Sequence, residues 1–83
     1  MDTAFRVKKV LAKALVVEDS AVLDSALLAE DLGITSLDRF ELLVDLEEEF
    51  KIEINEEDLE GVKTVAEVVH RIELKTARQE PSP

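Results

Sequence analysis

The segment from Ser36 to Phe50, SLDRFELLVDLEEEF, constrains the fold more than any other part of the chain. At about 100° per residue, Leu42, Leu43, Leu46 and Phe50 share one arc of a helical wheel. Leu37, Phe40 and Val44 share a second arc on roughly the opposite side. A helix with this pattern buries the first stripe in its own domain and leaves the second to be accounted for. Arg39 falls near the middle of the inner arc. An unpaired buried guanidinium is costly, so its stem is expected on the core edge with its head in water; the sharper alternative is that it guards the mouth of an interior cleft.

Two hydroxyl residues, Thr35 and Ser36, precede this run. Thr35 and Asp38 have the spacing of a capping box with Thr35 as N-cap, but Ser36 can cap as well, and the local pattern leaves both readings open. If Thr35 caps, the Ser36 hydroxyl is not required by the backbone. It then faces outward at a helix end whose free amides and dipole favour a phosphoester.

The rest of the chain is predominantly helical in pattern. Val7, Val10, Leu11, Ala14 and Leu15 recur at helical spacing over Thr3 to Val16, with Arg6, Lys8, Lys9 and Lys13 opposite and Phe5 off the stripe. Val17 to Asp31 has no long period and reads as a long ordered loop with one short turn at most; such loops are often functional. Lys51 to Asn55 alternates polar and apolar residues without a partner strand, so it reads as an extended connector whose Ile54 plugs the core. Asn55 caps a short third helix over Glu56 to Glu60, ended by Gly61. Thr64 and Glu67 form a capping box for the last helix, with Val65, Val68, Val69 and Ile72 facing inward. The predicted fold is all-α: a small four-helix bundle of three longer helices and one short one, with a long loop between helices 1 and 2. Residues 1–75 form the domain and residues 76–83 a disordered tail.

Composition narrows the function classes. With 83 residues the chain is one domain, and with no Trp or Tyr and three Phe its core must be aliphatic. It has no cysteine, hence no disulfide, thiolate metal site or sulfur nucleophile. No apolar run is long enough for a membrane span or a signal peptide, so a soluble cytoplasmic monomer is expected. Twenty acids against ten bases give a net charge of −10. Nucleic acid is therefore not an expected partner, whereas a basic protein surface is. Self-repulsion predicts that salt or magnesium raises the thermal midpoint. The single histidine, His70, has no nucleophile constellation near it in sequence, and no enzymatic activity is expected. Asp45, Glu47 and Glu49 resemble a calcium loop, but Phe50 stands where the sharp turn needs Gly, so no specific metal site is expected.

The outer stripe of Leu37, Phe40 and Val44 is flanked by Glu41, Glu47 and Glu48. An apolar strip ringed by carboxylates suits a partner with an apolar groove and a Lys or Arg rim. On this ground alone, an unmodified acidic helical adaptor is one reading of the chain.

The stretch EDLGITSLDRFELLVDLEEEF resembles the signature of acyl carrier proteins, in which D-L-G-x-D-S-L opens the second helix and an E-E-F run closes it. The resemblance extends over RVKKVLAKAL, the long loop, EINEEDLEGVKTV and the final helix. It implies that Ser36 receives covalent 4′-phosphopantetheine from coenzyme A through a phosphopantetheinyl transferase. A cysteine-free chain thus acquires one thiol, and acyl cargo rides as a thioester among acyl-transferring and synthase enzymes of fatty-acid or polyketide type that have basic docking patches. By the same resemblance Leu37, Asp38, Phe40, Glu41, Val44, Glu47 and Glu48 form the docking face. Arg39, Leu42, Leu46, Ile54, Leu59, Val62 and Ala66 are the candidates for an acyl pocket. Thr35 stands where the family has Asp before the serine, and Arg39 and Phe40 replace smaller residues; both departures suggest a specialised carrier.

Overall fold

Asp2 starts the first helix by accepting the Phe5 amide at 2.8 Å, and α1 runs from Thr3 to Leu15. The computed structural model describes residues 2–79. The inner face of α1 is Val7, Leu11 and Ala12. Ala12 lies beside the predicted stripe and is buried as well. The helix ends one residue before Val16, which is left-handed (φ 56°), while the Val17 amide closes onto the Ala12 carbonyl at 3.0 Å. A β-branched residue in this region is strained.

The long loop is held by backbone pairing rather than by periodicity. After a 3₁₀ turn at Asp19–Ala21, the Ala66 amide donates to Asp24 (2.9 Å), the Val65 amide to Ala26 (3.1 Å), and the Leu28 amide to Lys63 (2.8 Å). Leu27 and Thr64 form an isolated antiparallel bridge. This lacing buries Val22, Ala26 and Leu28 and fixes the loop against the start of the last helix.

The second helix, α2, spans Ser36–Phe50 as predicted and buries Leu42, Leu43, Leu46 and Phe50. Its end is clamped by Arg6 of α1, whose Nε meets the Glu49 carboxylate at 2.9 Å and whose Nη2 donates to the Glu49 carbonyl at 2.7 Å. The same guanidinium lies 4.3 Å from the centroid of Phe50. A cation is well placed there, at the negative end of the helix dipole and over an aromatic face.

The connector then brings Ile54 into the core at 4 % exposure. The predicted short helix over Glu56 to Glu60 is a 3₁₀ turn at Glu56–Leu59. Four residues close too few i→i+4 bonds to form an α-helix. The Asn55 amide donates to the Asp58 carboxylate (2.8 Å), Arg71 Nη1 donates to the Asp58 carbonyl (2.8 Å), and Lys75 pairs with the Asp58 carboxylate (3.0 Å). These contacts pin the turn onto the last helix, α3, which spans Val65–Gln79. Residues 76–79, placed in the tail by the sequence, continue α3 past the Lys75 anchor. Residues 80–83 lie outside the described residues.

α1 packs against both α2 and α3. Leu11, Leu46 and Ile72, one from each helix, are fully buried. Among the described residues every buried side chain is apolar. The architecture is the all-α bundle predicted, three helices with a 3₁₀ turn in the place of the short fourth.

Candidate functional site

The capping question at the start of α2 has one answer. Thr35 is extended, its Oγ1 accepts the Asp38 amide at 3.2 Å, and the Thr35 amide donates to Asp38 Oδ2 at 3.0 Å. Both halves of a capping box are present. Ser36 is therefore the first helical residue, exposed to solvent. None of the hydrogen bonds among the described residues engages its hydroxyl. In the first turn the Ser36 and Leu37 amides have no intrahelical acceptor, so an anion linked to this oxygen meets free N–H groups and the positive end of the dipole.

Beside Ser36 opens a groove of about 780 Å³. One wall is α2, through Ser36, Arg39, Phe40 and Leu43; the other is the Gly61–Lys63 stretch with Glu56 and Glu60; the loop from Leu27 to Glu30 and Ile34 closes the third side. Gly33, at φ 67°, makes the turn that returns the chain to the groove, and the Ile34 amide then bonds the Leu28 carbonyl at 2.9 Å. Sequence reasoning missed Leu27, Leu28, Ile34 and Lys63 as lining residues. Gly33, two positions before Thr35, was the available signal that the chain folds back there.

Of the seven residues expected in an acyl pocket, Arg39 and Val62 line this groove. Leu42, Leu46, Ile54 and Leu59 lie in the core, each 4 % exposed or less. Ala66 is exposed: it sits beside the Val65–Val68–Val69–Ile72 stripe, and its amide is bonded to the loop at Asp24. Arg39 is exposed, and its Nη2 lies 3.4 Å from the Val62 carbonyl across the groove.

The outer stripe of α2 is open: Leu37, Phe40 and Val44 are 67 %, 56 % and 40 % exposed, with Glu41 and Glu48 exposed beside them. Two residues expected on this face are committed elsewhere. Asp38 is half-buried in the capping box. Glu47 is half-buried and accepts the Ile54 amide at 2.9 Å, so it holds the connector.

At the other side of the groove, Thr64 and Glu67 form their own capping box (3.2 and 3.0 Å). The Lys63 amide also donates to Glu67, at 2.9 Å. These amides hold the Glu67 carboxyl below its ordinary value, Lys63 contributing most. His70 is exposed. Among the described residues, no helix is long and apolar enough to cross a membrane.

The site fits a group carried by a phosphodiester, because it offers a free hydroxyl, unfilled amides and a groove for the chain beyond the phosphate. Comparison with known proteins agrees with this chemistry. The family model described as the phosphopantetheine attachment site matches residues 6–72, most of the chain. A solved structure described as a putative acyl carrier protein from Mycobacterium tuberculosis superposes with a TM-score of 0.78 at 29 % identity, covering 88 % of this chain and 97 % of that one. The chain belongs to the acyl carrier protein family, whose covalent cofactor is 4′-phosphopantetheine.

Proposed function

We propose that Ser36 is the attachment point of the phosphopantetheine arm, and that the protein carries acyl intermediates and presents them to biosynthetic enzymes of fatty-acid or polyketide type. The observation that carries this reading is the Thr35–Asp38 capping box, which satisfies the helix end without Ser36. In the transfer, Ser36 Oγ forms an ester bond to the phosphorus that bears the pantetheine, the pyrophosphate P–O bond of coenzyme A breaks, 3′,5′-ADP leaves with the bonding pair, and the hydroxyl proton passes to a base of the transferase or to solvent. When bound, the arm supplies a terminal thiol for acyl groups, in a chain that has no cysteine of its own. The exposed stripe of Leu37, Phe40 and Val44, with Glu41 and Glu48, would meet the transferase and the synthase enzymes through their apolar and basic patches. The acidic net charge speeds those encounters.

Intact mass measured after incubation with coenzyme A and a broad-specificity phosphopantetheinyl transferase tests the reading. One arm is gained by the parent and none by Ser36→Ala. A parent that gains nothing with several transferases leaves the acidic stripe of α2 as an adaptor surface.

A further inference from the structure

We propose that Arg39 is a specificity-determining residue that bars long acyl chains from the bundle interior and keeps cargo in the open groove; this rests on Ser36 being the attachment point. Arg39 is one turn beyond Ser36, on the arc whose next members, Leu42, Leu43 and Leu46, are buried. An apolar residue here would carry the inner stripe through to the start of the helix. Instead the guanidinium reaches across the groove to the Val62 carbonyl, 23 residues away in sequence. Val62 is 3 % exposed and belongs to the opposite wall. Arg39 therefore spans the line along which α2 would part from the Gly61–Lys63 stretch.

An acyl chain seeking the interior must pass this line, because Leu42, Leu46, Ile54 and Leu59 are packed behind it and none of them lines the groove. At 3.4 Å the hydrogen bond to Val62 is long and weak. The larger barrier is the charge. Arg39 makes no ion pair among the described residues, so burying it beside methylene groups is uncompensated. A short acyl group meets no such barrier, since Leu28, Ile34 and Leu43 already give the groove an apolar lining. The favoured cargo class is short acyl groups rather than long saturated chains.

The absence of cysteine provides a direct test. Ser36→Cys is coupled to ethyl, butyl, octyl and dodecyl groups through alkyl methanethiosulfonates, in the parent, Arg39→Ala and Arg39→Met backgrounds. Thermal midpoints are then read against chain length. With Arg39 present the midpoint stays flat, within about 2 °C from ethyl to dodecyl, whereas in both variants it climbs by about 10 °C as methylenes are buried. Arg39→Met keeps the length of the side chain and fills its place if Arg39→Ala does not fold. Slopes that run parallel with and without Arg39 would overturn the proposal, as would a flat Arg39→Met series, which assigns the barrier to bulk rather than charge. A parallel enzymatic loading with acyl-coenzyme A, followed by intact mass, reports separately on Ser36. A missing mass gain there breaks the attachment reading, while the alkylated series still decides the role of Arg39.

Discussion

Both α2 and α3 begin at a threonine that caps the helix and is answered by an acid three residues later, Thr35 with Asp38 and Thr64 with Glu67. They part at the next residue. Val65 is fully buried and opens the inner stripe of α3, whereas Ser36 stands exposed beside the groove. The same local device thus serves two ends. In α3 the first helical residue is chosen by packing. In α2 packing places no demand on that position, and a residue with a nucleophilic hydroxyl occupies it.

Substitution at the two positions is the strongest way to break this contrast. Val65→Ser removes a buried branched side chain and leaves a hydroxyl in its place, which should cost about 2–3 kcal/mol. Ser36→Ala should lie within about 0.5 kcal/mol of the parent. Urea unfolding of the two variants measures the difference; equal stabilities would mean that the first helical residue is structurally equivalent in both helices.

The two caps sharpen the contrast at a smaller scale. Thr35→Ala and Thr64→Ala should each cost about 1 kcal/mol, since each leaves a first-turn amide without its side-chain acceptor. Thr35→Ala should nevertheless still accept the arm, whereas Ser36→Ala keeps stability and loses the mass gain. A Thr35→Ala variant as stable as the parent would transfer the cap to Ser36 and remove the argument for its free hydroxyl.

The contrast also shows which parts of the molecule were legible in the sequence. The capping box at Thr64 and the bounds of α2 are local signals, written in side chains three or four residues apart, and they read correctly; at Thr35 the same signal left Ser36 open as a second cap. Contacts set at long range did not. Val22, Ala26 and Leu28 are buried without helical spacing because their loop is laced to residues 63–66. The turn at Glu56–Leu59 is held through Asp58 by Arg71 and Lys75 of α3, a tie that no local pattern encodes. On α2 the wheel placed Glu47 correctly near the outer stripe, but its carboxylate turns to the Ile54 amide. Ala66 shows the same limit: its amide is tied to Asp24 of the loop while its side chain is exposed. The exposed stripe itself was legible because periodicity reports what a helix cannot bury.

That stripe gives a prediction with little effect on stability. Phe40→Ala should remain within about 0.5 kcal/mol of the parent, as an exposed residue away from caps and core. It should slow acyl transfer by a partner enzyme, chiefly through a higher KM, because apolar contact area in the complex is lost. Unchanged kinetics with every partner that accepts the parent would remove Phe40 from the docking face.

The smallest expected effect distinguishes the acids of the two boxes. Glu67 receives the Lys63 and Thr64 amides, and these hold its carboxyl below the ordinary value of 4.5. A carboxyl with a lowered folded pKa stabilises the fold fully above its unfolded value, and that contribution is lost as pH falls through the folded value. Glu67→Gln keeps an acceptor oxygen but cannot titrate. The stability of the parent over Glu67→Gln should therefore be constant above about pH 6 and shrink steadily below pH 4.5. Because Glu67 is exposed, solvent keeps the difference small, and paired urea titrations across this range are needed to resolve it. Curves that stay parallel down to acid unfolding would show that the amides at α3 favour the charged carboxylate no more than the neutral amide oxygen, and the box at α3 would then rest on geometry alone.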